Sequence, residues 1–350
     1  MSDEKQMILE MLKEGKITVE EASNLIDALG GKKSRVNSDF VSRLSQSLDS
    51  VIKKTTETIS NFDLDNIDIN QFNIKGETNT HKEMRVDDEI NSINIDIPNG
   101  KVLVERASDS AITLTQDIWA KKGDLLDYLE IDINGDKLEV GINDSYHNFD
   151  ATSILHLSLG KNLYDNLDID LVNGNIEIED VDFNATNINS VNAKINIINS
   201  CGNIDINNTN GKIDLKNTNG YLSVNNVNGS VYLSNISGES TDINAVSGNI
   251  RVDGLDTKEF KADTHSGNIR IYNIKASKEV KLNSGFGNIT VDSQDFTGDI
   301  KANVLSQALN ISDKYKNKMQ KDKGYEVSTN MDNTDLEINA SAGFGKINLR

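Results

Sequence analysis

Asn208-Thr209-Asn210-Gly211-Lys212-Ile213-Asp214-Leu215-Lys216 decides the fold, because it recurs. Glycines stand at 202, 211, 220, 229 and 238, nine residues apart each time, and the blocks around them align without a gap. Each block opens on Asn, at 199, 208, 217, 226 and 235, continues through a Ser/Thr/Val/Ile position, and after the glycine mostly runs x-apolar-x-apolar-x. The block from Asn235 deviates in its strand. One strand and one turn cannot bury their own apolar face, so successive units must stack, and two units make an 18-residue coil with two walls. The reading is a mainly β chain, a parallel β-helix or β-roll-like solenoid. Ile213/Leu215, Leu222/Val224 and Val231/Leu233 point inward, while Lys212, Asp214, Lys216 and Ser223 point to water.

The pattern continues downstream. Gly248, Gly267 and Gly287 precede Ile-x-Ile/Val units at spacings of 19 and 20 residues, and the chain closes on Gly345-Lys346-Ile347-Asn348-Leu349 in the same style. At about 4.8 Å per coil, the seven or so coils between 170 and 300 form a rod of roughly 34 Å. The opening asparagines are expected to stack as an amide ladder along the axis, and the glycines to supply positive φ.

Outward from the repeat, period-2 segments reach back to about residue 63. They are Ile67-Asp68-Ile69, Ile93-Asn94-Ile95-Asp96-Ile97, Val102-Leu103-Val104 and Leu129-Glu130-Ile131-Asp132-Ile133, with turns expected at Pro98-Asn99-Gly100 and Asn134-Gly135-Asp136. Before residue 63 the period is 3.6. Met7, Ile8, Met11 and Leu12 share a face that ends at Gly15; Thr18 and Glu21 form a capping box ahead of Ala22, Leu25, Ile26 and Leu29; Gly30-Gly31 stops the run. Val41, Leu44, Leu48 and Val51 continue at 4-3 spacing. The expected organisation is therefore a small α-helical hairpin over 1–31, an amphipathic linker helix over 32–62, and a β-strand-repeat solenoid over 63–350.

The chain has 350 residues and a net charge of −19, with one proline and 46 asparagines. Residues 1–62 hold nine Lys+Arg and ten Asp+Glu, so the remaining 27 basic and 45 acidic residues place −18 on residues 63–350. That charge excludes a polyanion as the obvious partner of the whole molecule, and no nucleic acid is expected. The linker carries a local +3 that suits weak contact with an anionic membrane. The uncovered apolar faces of the hairpin suit a protein or peptide partner, or self-association. Met1-Ser2-Asp3-Glu4-Lys5 has no apolar run behind it, so the expected location is cytoplasmic or peripheral to the membrane, with surface exposure requiring a non-classical route.

Residues that carry chemistry are sparse. Cys201 is the only cysteine, which excludes an intrachain disulfide and a four-cysteine zinc site. His81, His147, His156 and His265 have no partner at metal-ligand spacing. No phosphate loop, nucleophile elbow or dinucleotide fingerprint is present. No catalytic, cofactor or metal residue is assigned, no cofactor is expected, and the chain reads as a non-enzyme. The pair to watch for polysaccharide cleavage is Asp205 and Asp214, nine residues apart and both outward, although outward Asp in an acidic chain is ordinarily a solvated face.

Two stretches resemble known bacterial families. Met7-Ile8-Leu9-Glu10-Met11-Leu12-Lys13-Glu14-Gly15-Lys16-Ile17-Thr18-Val19-Glu20-Glu21-Ala22 is similar to the N-terminal helical module of YvlB/LiaX-type envelope-stress proteins. The Ser-Gly-Asn-Ile-x-Val/Ile units at 247–252 and 266–271 resemble the β-strand-repeat family called "putative adhesin". The resemblance implies a non-catalytic interaction or regulatory protein of the envelope-stress and antimicrobial-peptide response, binding partners or membrane-active peptides. A surface-exposed, adhesin-like binding protein is the alternative it leaves open.

Overall fold

The computed structural model describes residues 78–108, 110–120, 125, 127–146, 151–161 and 163–350. The expected helical hairpin, the linker helix with its membrane contact, and the strand at 67–69 lie outside the described residues.

Among the described residues every regular element longer than one short 3-10 turn is a strand. The first six are β1 (Thr78–Val86), β2 (Ser92–Arg106), β3 (Ile112–Ala120), β4 (Leu129–Asn134), β5 (Lys137–Ile142) and β6 (Ala151–Leu159). The repeat region supplies β7 (Leu163–Glu179), β8 (Asp182–Ile198), β9 (Asn203–Asn210), β10 (Ile213–Asn219), β11 (Leu222–Asn228), β12 (Val231–Ser247), β13 (Ile250–Ser266), β14 (Ile269–Ile274), β15 (Glu279–Ser284) and β16 (Ile289–Val291). The chain ends with β17 (Ile300–Leu305), β18 (Ala308–Ile311), β19 (Asn317–Lys321), β20 (Gly324–Ser328), β21 (Leu336–Ala342) and β22 (Lys346–Leu349).

From β7 to β16 the chain winds as a parallel solenoid. Ile188 pairs with Ile206, Ile206 with Val224 and Val224 with Ile243 on the first wall; Ile195 pairs with Ile213, Ile213 with Val231 and Val231 with Ile250 on the second. The register advances 18 residues per coil in the pure repeat and 19 or 20 beyond it, so the 18-residue coil expected from the blocks is present. Long strands such as β7, β8, β12 and β13 contribute to both walls, bending at the corner between them. Pro98-Asn99-Gly100, expected as a turn, is one of these bends inside β2, whereas Gly135-Asp136 does join a hairpin of β4 and β5.

The inward columns are mostly Ile, Leu and Val, with Thr241, Phe260 and Ala262 among them on the first wall. Ile213, Leu215, Val224 and Val231 are fully buried, and Leu222 and Leu233 nearly so, as the alternation requires. Each such side chain contributes about 1.5–3 kcal/mol of burial, and the inward faces of both walls form one continuous core.

Both ends of the stack depart from simple winding. At the start, β2 lies between β7 and the strands β5 and β6, and the hairpin partner β4 and the antiparallel strands β3 and β1 cover the end. At the other end the spatial order is not the chain order. The last coil, β21–β22, sits between β15–β16 and the earlier β17–β18, and the antiparallel β20 and β19 close the first wall. Residues 292–335 are thus a cap that the C-terminal coil slides beneath.

The asparagines that open the blocks do not form the single ladder expected. Because two nine-residue units make one coil, they alternate between two columns. Asn199, Asn217 and Asn235 occupy an exposed corner, each with φ of 53°, and their amides link in sequence to Asp180 at 2.8, 2.7 and 3.0 Å. Asn208 and Asn226 lie inside; their amides donate to the carbonyls of Ala193 and Gly211 at 3.1 and 3.0 Å, tying the inner corner across to the next bend. Thr264 and Ser284 do the same to Gly248 and Gly267 in later coils.

Candidate binding surface

The outward positions of each wall form a lattice, two or three columns wide, with one row per coil. On the first wall one column runs Asp170, Asn189, Asn207, Asn225 and Asn244, joined by amide hydrogen bonds of 2.8 to 3.2 Å. Beside it stand Asp168, Asn187, Asp205, Ser223 and Asp242. Asp205 makes no ion pair among the described residues, and burial pushes its carboxyl above the usual range, an effect partly offset by a hydrogen bond from Asn207. Further along, Lys261 lies between Asp242 and Asp263 at 3.7 and 2.9 Å, with all three side chains largely shielded. Most polar side chains of this wall engage one another through amide hydrogen bonds and ion pairs.

The second wall differs in chemistry. Its outward column Asp214, Tyr232, Arg251, Arg270 and Thr290 is in register coil by coil. Lys212 is paired to Asp214 at 2.6 Å and sits 4.5 Å from the Tyr232 ring centre. The Arg251 guanidinium is 4.9 Å from the centre of the Tyr272 ring. Arg251 and Arg270 are exposed, occupy facing positions on adjacent coils, and make no ion pair among the described residues.

The corner leading into this wall carries aromatic rings. Gly285-Phe286-Gly287 and Gly343-Phe344-Gly345 lie on stacked coils, and their phenyl rings are nearly parallel, 5.0 Å apart with an interplanar angle of 4°. His265 meets the Phe286 ring edge-on at 5.2 Å, and Phe344 is 62% exposed at the outer end of the stack.

The sequence-derived candidates fare differently. Asp205 is on the first wall and Asp214 on the second, so the two carboxylates face away from each other across the core and form no catalytic pair. The expectation that they approach fails because nine residues is half a coil. His81 and His156 pair with Asp117 and Glu105, each at 2.8 Å, and His147 lies outside the described residues. Cys201 is exposed, and burial of its sulfur with Asp182 beside it raises its pKa. No three His, Cys, Asp or Glu side chains among the described residues are placed to hold a metal ion.

Residues 90–350 match the family model described as Toastrack DUF4097. The chain belongs to the Toastrack family. Ahead of the Toastrack region, residues 3–34 match a SHOCT-like domain. Similar solved structures include a "putative adhesin" from Parabacteroides merdae, 14% identical with a TM-score of 0.39, covering 79% of this chain and 98% of that one. A "putative adhesin" from Bacteroides fragilis is 11% identical with a TM-score of 0.32, covering 79% and 98%. A "putative lipid binding protein" from Parabacteroides distasonis is 13% identical with a TM-score of 0.28, covering 78% and 97%. No curated protein matches the chain.

Sequence reading missed Tyr232, Arg251, Arg270, Tyr272, Phe286 and Phe344. The arginines did leave a signal. Ser247-Gly248-Asn249-Ile250-Arg251 and Ser266-Gly267-Asn268-Ile269-Arg270 repeat one coil apart, so stacking alone puts the two cations side by side. The Phe286–Phe344 pair left none, since the 44-residue cap separates those coils in sequence.

Proposed function

We propose that this protein is a non-catalytic binding protein of the adhesin type, presenting the second wall of its solenoid to an extended ligand on a cell surface. One observation carries the reading: aromatic rings, and arginines without an ion-pair partner among the described residues, are displayed on that wall and its corner, whereas the polar side chains of the first wall mostly engage one another through hydrogen bonds and ion pairs. An exposed Phe344 stacked flat on Phe286 satisfies no core and leaves a face for an apolar or sugar-ring partner.

The test is saturable binding of labelled full-length protein to intact cells and isolated cell walls. Wild-type binding that falls several-fold in Phe286→Ser/Phe344→Ser, with unchanged melting, supports the reading; absence of saturable binding to either material overturns it. A second reading, a regulatory protein of the envelope-stress response, rests on the likeness of Met7–Ala22 alone. Fractionation separates the two: a surface pool belongs to an adhesin, and a pool wholly in the cytosol or on the inner membrane face belongs to a regulator.

A further inference from the structure

We infer that Arg251 and Arg270, with Lys212, Tyr232 and Tyr272 around them, form a binding site for an acidic polysaccharide whose chain runs along the solenoid axis. The inference rests on the binding reading above and assigns it a ligand class.

The two guanidinium groups occupy facing positions on neighbouring coils, about 4.8 Å apart at the backbone. Like charges directly opposite one another in a sheet are destabilising. In a region where 45 acidic residues outnumber 27 basic ones, a nearby carboxylate would be the ordinary relief. It is not supplied. Of the acids on this patch, Asp214 is held by Lys212 at 2.6 Å and Asp253 accepts from the Asn273 amide at 2.6 Å. Arg251 instead lies over Tyr272, and Lys212 over Tyr232. The Tyr272 ring orders Arg251, and the exposed guanidinium groups of Arg251 and Arg270 suit bidentate capture of a carboxylate or sulfate.

Charge density selects the polymer. A polyuronate carries one carboxylate per sugar ring, and tyrosine rings give sugar faces an apolar surface. Duplex DNA carries one charge per about 1.7 Å, a density that two arginines one coil apart cannot match, so it meets more of the surrounding acidic surface than a polyuronate does. A local cationic strip can act despite the net charge of −19 because the first-wall carboxylates point into solvent on the opposite side of the core, where salt screens them from a ligand on the second wall.

The test uses the full chain and four probes: polygalacturonate, the neutral glucan dextran, heparin and duplex DNA. Binding is followed by calorimetry at low and physiological salt. Polygalacturonate is expected to bind, more weakly as salt rises, and dextran not to bind. Arg251→Gln/Arg270→Gln should lose at least tenfold in affinity while its melting temperature holds or rises, since the repulsion is removed. Lys281→Gln, an exposed cation of the first wall, should bind as the wild type does. Equal affinity in the double variant, equal binding of dextran, or tighter binding of DNA than of either acidic glycan each overturns the assignment. Saturable binding to cell walls without binding to either acidic glycan removes this ligand and keeps the adhesin reading; binding to none of these materials removes both.

Discussion

Gly229 lies directly over the carbonyl oxygen of Gly211, so a Cβ built on it would stand 1.9 Å from that oxygen. The same approach recurs at Gly248 over Gly229 and Gly267 over Gly248, making a glycine column along one corner of the rod. Positive φ alone therefore understates why glycine is required. Gly135, in the hairpin of β4 and β5, has φ of 65° with nothing within 4 Å of its missing Cβ. Gly135→Ala should cost about 1–2 kcal/mol, the left-handed penalty alone. Gly229→Ala must also push one coil off the next and should cost clearly more, in the range above about 4 kcal/mol that marks exceptional substitutions. Equal losses in chemical denaturation would show that stacking contributes nothing.

The two asparagine columns should respond differently. Asn226 is fully buried and donates to the Gly211 carbonyl, so Asn226→Ala should cost about 1–3 kcal/mol through the unpaired buried carbonyl. At exposed Asn217 the constraint is conformational, with φ of 53°. Asn217→Gly should therefore be nearly neutral and Asn217→Ala should lose about 1 kcal/mol. Urea midpoints of the three variants check the order.

Asp205 gives the rod an acid-side stability gain. Its folded-state carboxyl titrates above the unfolded one because burial disfavours the charge. Between the two values the folded state holds a proton that the unfolded state has lost, so stability falls as pH rises through that window and stays low above it. Asp205→Asn should consequently melt higher than the wild type near neutral pH, with the difference disappearing well below the usual carboxylate range. A difference that grows toward acid would reverse the assignment.

The C-terminal coil should hold the cap in place. Because β21–β22 separates β15–β16 from β17–β18, deleting residues 336–350 removes the layer on which the cap rests. Hydrogen exchange should then lose protection in 300–311 and 317–328 while 185–274 stays protected. Retained protection in the cap would mean that β17 and β18 dock directly onto β15 and β16.

Inward and outward assignments along the repeat can be tested by charge. Leu215→Asp or Val231→Asp places a carboxylate in a fully buried position and should unfold much of the stack, whereas Lys216→Asp on the exposed face should shift stability by no more than about 0.5 kcal/mol. Far-UV circular dichroism and thermal melts separate these outcomes.

The sequence by itself determined the coil. A nine-residue period with alternating apolar residues admits few solutions other than stacked strands, and it marked Ile213, Leu215, Val224 and Val231 as core because alternation and burial are local properties. It also placed glycines at the bends of the pure repeat, from 202 to 238. Tertiary structure decided which periodic residues share a column, since half a coil separates successive blocks: Asp205 and Asp214 went to opposite walls, and the asparagines split between an exposed corner and the interior. It decided too that the final coil slides under residues 292–335, an arrangement no local period encodes because it depends on which free strand edges meet. The Phe286–Phe344 stack arises only from that meeting, whereas the Arg251–Arg270 pair follows from one coil lying on the next.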